Sequence, residues 1–507
     1  MRMPLSSVLS PLLRRGARKK KRAPNACAAC CRLRACKILW IEGGSIRPSS
    51  LQCLWFEMKS SALSQLGQRT EAPPISWLMQ LTLDHPKLIS LAAGFTDNES
   101  LPVDETRELL NEILGSPKSR RSALQYGTTA GDPHLRHLTA DRLWKLDAAA
   151  EKRFSAAADE VAERARNVRH ARRSHPVAFS EIYAPERMLI TSGSQQLLYM
   201  LTECLCDPGD IVLLEDPTYF VYLGIVQSHG FCCRGIRLEA DGIDLSHLEQ
   251  RLEALRRRGE LKRVKMLYLV SYSQNPTGIT TSFVKKVAAL AMLKRFERAA
   301  GHPIYLLEDA AYRELRFAGQ DVASALAAER ADERVIYTGT YSKPFATGVR
   351  VGFGILPKPL LTVVLRVKAN HDFGTSNLLQ QLLRRALASC RYESHLTELH
   401  RRYARKAATM TRAMREHFPA NVRWQEPDGG LYVWARCPKP VKTGVHSRLF
   451  QSALRHEVLY VPGEFCYAAD PTRRKPNGEM RISFGGATEA DIRTGIARLG
   501  ATLRELL

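Results

Sequence analysis

Residues 337–353 read YTGTYSKPFATGVRVGF. This stretch sets Lys343 directly after the hydroxyl residues Thr338, Thr340 and Ser342, and places Arg350 further on in a Gly/Val segment. A lysine among hydroxyls with an arginine at hand suits a phosphorylated carbonyl compound. The amine forms a Schiff base with an aldehyde, while hydroxyls and guanidinium hold the phosphate. An exposed lysine in a turn fits the same letters, and Arg350 alone is also a candidate clamp for a substrate carboxylate. The flanking chain has to decide.

Working outward, short apolar runs alternate with amphipathic ones. Strands are expected at 188–190, 210–214, 232–238, 265–270, 304–307 and 335–338, with a return strand at 349–356 after the lysine. Helices are expected between them at 194–205, 219–229, 245–257 and 282–299. Such alternation predicts an α/β three-layer sandwich with a mainly parallel sheet, which binds ligands at the carboxyl ends of its strands. Upstream come a short strand at 88–91, a helix at 104–114 and a glycine-punctuated loop at 124–131 that opens a helix at 135–144. The Ala-, Arg- and Glu-rich segment 148–180 reads as a charged surface helix and loop, a solvated insertion into the domain. From about residue 370 the pattern changes to long helices (376–390, 392–417), short strands (422–425, 432–435, 459–461, 480–484) and a last helix at 489–507. That is a smaller α+β domain. The expected division is an N-terminal extension at 1–57, an N-terminal segment with part of the small domain at 58–121, a large domain at 122–370, and an interdomain helix with the small C-terminal domain at 371–507.

A chain of 507 residues holds one large α/β body or more than one domain. No apolar run approaches the roughly 18 residues needed to cross a bilayer. The net charge of +24 is concentrated in the first sixty residues and otherwise scattered over helices. Aromatic residues do not interleave with it as a single-strand platform requires, so solvated faces are expected rather than nucleic-acid binding. The twelve cysteines lack the regular spacing of a disulfide framework, which points to a reducing cytoplasm. Cys27, Cys30 and Cys31 cluster without the second half of a zinc motif, so no metal is expected. Residues 1–57, with RRGARKKKR at 14–22, read as a targeting peptide, a basic arm, or upstream sequence ahead of a true start at Met58. The last is preferred, with disorder expected there.

The loops after the strands carry the chemistry. Strand 188–190 runs into TSGSQQ at 191–196 and then a helix, a phosphate cradle of free N–H groups as well as an ordinary capped helix start. The next strand ends in EDPTYF (215–220), where Tyr219 stacks on a flat ring or simply packs. Strand 265–270 ends in SYSQNPTG, where the proline holds Asn275 extended with its amide free for a ligand. Strand 304–307 ends in EDAAY. Asp309 there pairs with a pyridinium nitrogen or caps a helix, and Tyr312 lies near enough to reach a ring hydroxyl. Each signal has a bland alternative. Together with Lys343 they supply every part of one cofactor: phosphate, ring face, ring oxygen, ring nitrogen and aldehyde.

With YGTTAG, TSGSQQ, EDPTY, SQNPTG, EDAAY, GTYSKPFATGVRVGF, PDGGLYVW and MRISFGG in hand, residues 76–507 resemble the class I/II pyridoxal-phosphate aminotransferases of fold type I, apart from the segment near 148–180. The likeness is to the group that includes 2-aminoadipate and kynurenine aminotransferases and the aminotransferase-like domains of certain bacterial regulators. The resemblance implies pyridoxal 5'-phosphate as cofactor and Lys343 as the Schiff-base lysine. It puts Asp309 on the pyridine nitrogen, Tyr312 and Asn275 on the ring oxygen, and Tyr219 stacked on the ring. Gly193, Ser194, Gln195, Thr340, Ser342 and Arg350 then make the phosphate site, which takes Arg350 away from the substrate. Tyr126 resembles the tyrosine that reaches across a homodimer to the neighbour's cofactor phosphate. Arg481 resembles the arginine that grips the substrate α-carboxylate, and Gly94 the glycine of the N-terminal loop that closes over substrate. The family's usual Pro-Gly-Leu-Arg is here ATGVR at 346–350, which keeps Gly348 and Arg350.

The implied reaction is transfer of an amino group from an L-α-amino acid to a 2-oxo acid, expected to be 2-oxoglutarate. Lys343, Asp309 and Tyr219 are the catalytic candidates, and Gly94, Asn275 and Arg481 the substrate-binding ones. A ligand-sensing regulator would need a winged helix in the first sixty residues, and none is visible there. A lyase or synthase of the same fold is the other alternative, separable by assay.

Overall fold

The computed structural model describes residues 62–164 and 181–507. The expectations for residues 1–57 and for the distal part of 148–180 lie outside the described residues.

The chain begins with α1 (Gln65–Arg69) and α2 (Pro74–Asp84), the latter opened by proline where a missing N–H costs nothing. Strand β1 (Ile89–Ser90), α3 (Val103–Gly115), α4 (Arg120–Ala123) and α5 (Pro133–Arg164) follow. Helix α5 corrects the sequence reading of a short helix followed by a separate surface helix and loop from 148: the two helices are one. Residues 145–164 contain neither glycine nor proline and are rich in helix formers, so nothing stops the helix. Its middle is core rather than surface: Asp147 is buried, and Ala150 packs with Phe283, Ala323 and Ala327.

The alternating region follows. It comprises β2 (Met188–Thr191), α6 (Ser194–Leu205), β3 (Ile211–Asp216), α7 (Phe220–His229), β4 (Cys232–Glu239), β5 (Gly242–Ile243), α8 (Leu245–Arg257), β6 (Val264–Val270), α9 (Phe283–Ala300), β7 (Tyr305–Asp309), β8 (Val335–Thr340) and β9 (Gly352–Ile355). These strands form an eight-stranded sheet in the order β2-β9-β8-β7-β6-β3-β4-β5. Pairs β4–β3, β3–β6, β6–β7 and β7–β8 are parallel, while β5 and β9 run against their neighbours. Strands β3 and β6 are buried along nearly their whole length, which explains their near-continuous apolar sequences. The fold is thus the mainly parallel α/β sandwich that the alternation predicts. The return strand is shorter than expected. Residues 347–349 form a 3₁₀ turn and Arg350 takes a left-handed φ of 47°, so the chain becomes extended only at Gly352.

Helix α10 (Lys358–His371), which the sequence reading passed over, leads to α11 (Asn377–Ala388) and α12 (Arg391–His417). Then come β10 (Arg423–Trp424), β11 (Tyr432–Arg436), α13 (Arg448–Arg455), β12 (Val458–Leu459), β13 (Val461–Pro462), β14 (Glu479–Ser483) and α14 (Glu489–Leu506). Strands β10, β11, β14 and β13 make an antiparallel sheet in that order. Strand β1 pairs in parallel with β12, so the residues around Ala92 and Gly94 are tied to this C-terminal layer. Helix α14 starts on a capping box between Thr488 and Asp491. Among the described residues the seven cysteines are free, and no helix is long and apolar enough to cross a membrane.

Candidate active site

The order of the large sheet decides where a ligand sits. From β3 the chain proceeds outward to β4, whereas from β6 it proceeds the other way to β7 and β8. The β3–β6 boundary is therefore a switch point, where the loops diverge and leave a crevice at the carboxyl ends. A pocket lies at this edge. It is lined from β3 by Tyr219, from β6 by Val270 and Asn275, and from β7 by Asp309, Ala311 and Tyr312. Thr340, Ser342, Lys343, Thr347 and Arg350 line it from β8 onward, and Ser194 and Gln195 from the start of α6.

Lys343 is half-buried, and its Nζ donates to the Gly94 carbonyl at 2.8 Å. Burial lowers its pKa to about 8, and the nearby Arg481 and Arg350 guanidiniums act in the same direction. Asp309 closes β7 at 3 % exposure. Its Oδ2 accepts from Tyr268 Oη at 2.9 Å and its Oδ1 from Ala311 N at 3.2 Å. Burial raises its pKa to about 6 against those two bonds. At neutral pH it is still mainly an anion, lodged where only a cation can compensate it.

On the other side of the pocket the Tyr312 and Tyr432 hydroxyls lie 3.0 Å apart, and Asn275 Nδ2 donates to Tyr312 Oη at 3.5 Å. Burial drives the Tyr312 hydroxyl well above the usual phenol range. Asn275 Oδ1 accepts from Arg481 Nη1 at 2.8 Å, and Arg481 Nη2 donates to the Ala92 carbonyl at 2.7 Å. Arg481, from β14, is 1 % exposed and lies over the Tyr432 and Phe220 rings at 4.3 and 5.2 Å. Its Nε has no hydrogen-bond partner, and no carboxylate among the described residues pairs with it. A buried guanidinium without a counter-ion is a receptor for an anion.

The start of α6 makes a second anion site. Gly193 precedes the helix at φ 76°, ψ 163°, and no side chain caps the first turn. A Cβ on Gly193 would stand 2.7 Å from Arg350 Nη2, and one on Gly352 would stand 2.4 Å from Ser194 N. Bare backbone is therefore required for the arginine and the helix start to close together. Arg350 Nη1 donates to Ser342 Oγ at 3.2 Å. The Thr340 hydroxyl is engaged by the chain itself, donating to the Val351 carbonyl and accepting from Ser342 N. Tyr219 Oη donates to Gln195 Oε1 at 3.5 Å, and burial raises its pKa.

The structure thus brings together ten of the residues named from the sequence, from Ser194 to Arg350, with Gly193 directly behind them. Gly94 and Arg481 adjoin them through Lys343 and Asn275. Tyr126 lies elsewhere. It is 78 % exposed and packs edge-on against Phe373. Sequence reasoning missed Tyr268 and Tyr432. Tyr268 reads as core from its strand. Its place beside Asp309 follows only from the β6–β7 register, which pairs Val270 with Asp309 and Tyr268 with Leu307 and so puts all four on one face. Tyr432 stands in PDGGLYVW, a motif recognised but given no role.

The pocket's donors fit a phosphorylated pyridoxal. They comprise an uncapped helix start with a cationic lid, a buried carboxylate for a cationic ring nitrogen, and an amine of lowered basicity. Comparison with known proteins agrees. The family profile "Aminotransferase class I and II" matches residues 86–499. An aromatic-amino-acid aminotransferase of Thermococcus litoralis is 30 % identical over 436 residues, 86 % of this chain and 92 % of the relative. A 2-aminoadipate transaminase of Thermus thermophilus is 30 % identical over 452 residues, 88 % of this chain and 98 % of the relative. Among solved structures, a Pyrococcus horikoshii kynurenine aminotransferase in complex with PMP superposes with a TM-score of 0.74 at 28 % identity, over 88 % of this chain and 97 % of that one. The chain belongs to the class I and II aminotransferases, as a pyridoxal-phosphate-dependent transaminase of fold type I acting on amino acid and 2-oxo acid substrates.

Proposed function

We propose that this transaminase moves the amino group of an L-α-amino acid to 2-oxoglutarate, with Lys343 as the covalent anchor of the cofactor. The observation that carries the reading is the convergence on one pocket of Lys343 and the buried anion Asp309, with the uncompensated cation Arg481 joined to that pocket through Asn275. When bound, pyridoxal phosphate supplies an aldehyde carbon that takes up the amino group and a ring that accepts electrons.

The chain's own residues do the rest. Ser194 and Gln195 offer backbone N–H groups at a helix start behind Gly193, whose own N–H donates to the Thr191 carbonyl, and Ser342 and Arg350 close over the same point beside Thr340, which suits a phosphate. Asp309, held by Tyr268, would keep a proton on the nitrogen of a bound pyridine ring by its fixed charge. Tyr219 would cover the face of the ring, and Tyr312 with Asn275 would hold its oxygen, since all three line the pocket. Arg481 takes the α-carboxylate of donor and acceptor alike, its orientation set by Asn275 and the Ala92 carbonyl. That contact fixes the substrate Cα relative to Lys343. Lys343 Nζ, neutral in an appreciable fraction of molecules at a pKa of about 8, then removes the Cα proton and returns it. The Gly94 loop lies against Lys343 and Tyr432, placed to exclude water from the substrate.

Tyr126, exposed on its own chain, is proposed to meet a neighbour's phosphate in a homodimer. The free thiols support a cytoplasmic setting. The boundaries at 122–370 and 371–507 are retained as a proposal, supported by the separate antiparallel sheet and by the β1–β12 pairing that joins the N-terminal segment to it.

The test is a panel of L-amino acids offered to the purified chain with 2-oxoglutarate. Glutamate and the donor's 2-oxo acid should appear in equal amounts. Decarboxylation, elimination or ring closure of the donor in their place would assign the chain to a lyase or synthase instead.

A further inference from the structure

Glu215 is wholly buried near the end of β3, and nothing above gives it a task. It sits where β3 and β6 part. Their ladder ends at Leu214 and Tyr268, while β6 runs on against β7 as far as Val270 and Asp309. Past the split, the Val270 N–H donates not to a backbone carbonyl of β3 but to the Glu215 side chain, at Oε2, 2.9 Å away. The same oxygen accepts from Gln274 Nε2 at 3.0 Å. Gln274 Nε2 also donates to the Pro217 carbonyl at 2.8 Å, and Gln274 Oε1 accepts from the Thr277 N–H and hydroxyl at 2.9 and 2.6 Å. One side chain thereby spans two turns. The turn after β3 carries Tyr219, and the turn after β6 carries Asn275, which orients Arg481.

We propose that Glu215 is a positioning residue whose carboxyl, acting through Gln274, locks the Tyr219 loop and the Asn275 loop together across the split between β3 and β6. It does so as the neutral acid. Glu215 Oε1 is buried and has no hydrogen-bond partner among the described residues, a position that strongly disfavours a full carboxylate. The charged groups that act on it give no counter-ion. Asp309 on β7 is itself acidic, and Lys286 on α9 is already paired with Glu308 at 2.8 Å. Burial accordingly raises the Glu215 pKa to about 8, against the two bonds it accepts. Two polar side chains, rather than backbone ladder, thus set the spacing of two loops on opposite sides of a switch point.

The inference rests on the proposed reading of the pocket, and its test separates the two. Full-length Glu215→Gln, Glu215→Ala and Gln274→Ala are compared with the native chain in three readouts: circular dichroism, amide hydrogen exchange over residues 216–220 and 271–279, and affinity for pyridoxamine phosphate. That ligand has no aldehyde to bond Lys343, so it reports non-covalent hold alone. Glu215→Gln keeps both accepted bonds and should match the native chain within about twofold. Glu215→Ala and Gln274→Ala should leave the circular dichroism unchanged, lose exchange protection in both loops together, and bind pyridoxamine phosphate about tenfold or more weakly. Donor KM should rise in both, through misplacement of Asn275 and Arg481. Protection unchanged in Glu215→Ala overturns the proposal, as does a Glu215→Gln chain as impaired as Glu215→Ala. If the native chain fails to bind pyridoxamine phosphate, the pocket reading falls, while the exchange data still decide the clamp.

Discussion

Lys343 offers a sharp test, because its environment makes a numerical statement. An ordinary lysine titrates near 10.5, and burial with two neighbouring guanidiniums brings this one to about 8. At pH 7.5 that leaves about a quarter of the amines neutral, against about a thousandth for an unperturbed lysine, a difference on the order of two-hundredfold. The cofactor-free chain should therefore be modified at Lys343 by a limiting pulse of acetic anhydride along a curve with its midpoint near pH 8. Exposed lysines such as Lys145 and Lys358 serve as internal standards in the same digest, read by peptide mass. Arg481→Met removes one of the two guanidiniums and should move the Lys343 midpoint upward, leaving the standards in place. Stability follows with a definite sign. Folding lowers this group's proton affinity, so the native state is penalised below pH 8, and the penalty fades as pH rises from about 8 to 10.5. Lys343→Met should thus raise the melting temperature of the cofactor-free chain at pH 7 more than at pH 10.5. A wild-type midpoint near 10.5, or one that Arg481→Met leaves unmoved, would refute the argument that these cations and this burial set the amine.

Three further outcomes are expected. Asp309→Asn removes the fixed charge beside Tyr268 without changing the shape of the site, and should lower kcat on the order of 10²-fold with the cofactor still bound. Gly193→Ala forces a Cβ toward Arg350 in a backbone region that tolerates little but glycine. It should weaken cofactor affinity by about tenfold, read by equilibrium dialysis, for a strain of about 1–3 kcal/mol. Lys286→Met strands the buried Glu308 carboxylate and should cost about 3–5 kcal/mol in denaturant unfolding, whereas Lys286→Met with Glu308→Leu should recover most of it.

The strand ends were legible in the sequence because a parallel sheet turns chain order into spatial order. The runs read as strands at 210–214, 265–270, 304–307 and 335–338 locate the sheet, and the polar residues after each must lie at the same edge. Asp309, Asn275, Tyr219 and Lys343 could be named together for that reason. What stayed hidden depends on register or on local backbone. Tyr268 looks like a core position, and Glu215 like an ordinary strand-end residue, until the pairing of β6 with its two neighbours shows which groups they meet. The late start of the return strand beyond Arg350 comes from a 3₁₀ turn and a left-handed residue that no periodicity reveals. Helix α5 is one helix where the sequence suggests two, because its charged later half resembles a separate surface helix, although nothing between them breaks a helix. Helix α10 was missed because an apolar run directly after a strand gave no turn signal beyond Pro357 and Pro359.

Lys343 as the residue that bears the cofactor is the central claim of the proposed function. Borohydride reduction of the purified chain after incubation with pyridoxal phosphate, followed by peptide mapping, tests this directly. The account predicts one phosphopyridoxyl group per chain, on Lys343, absent from the Lys343→Ala chain and absent when an amino-acid donor is added before the reductant. Stoichiometric labelling of a different lysine, or none at any lysine, would contradict it.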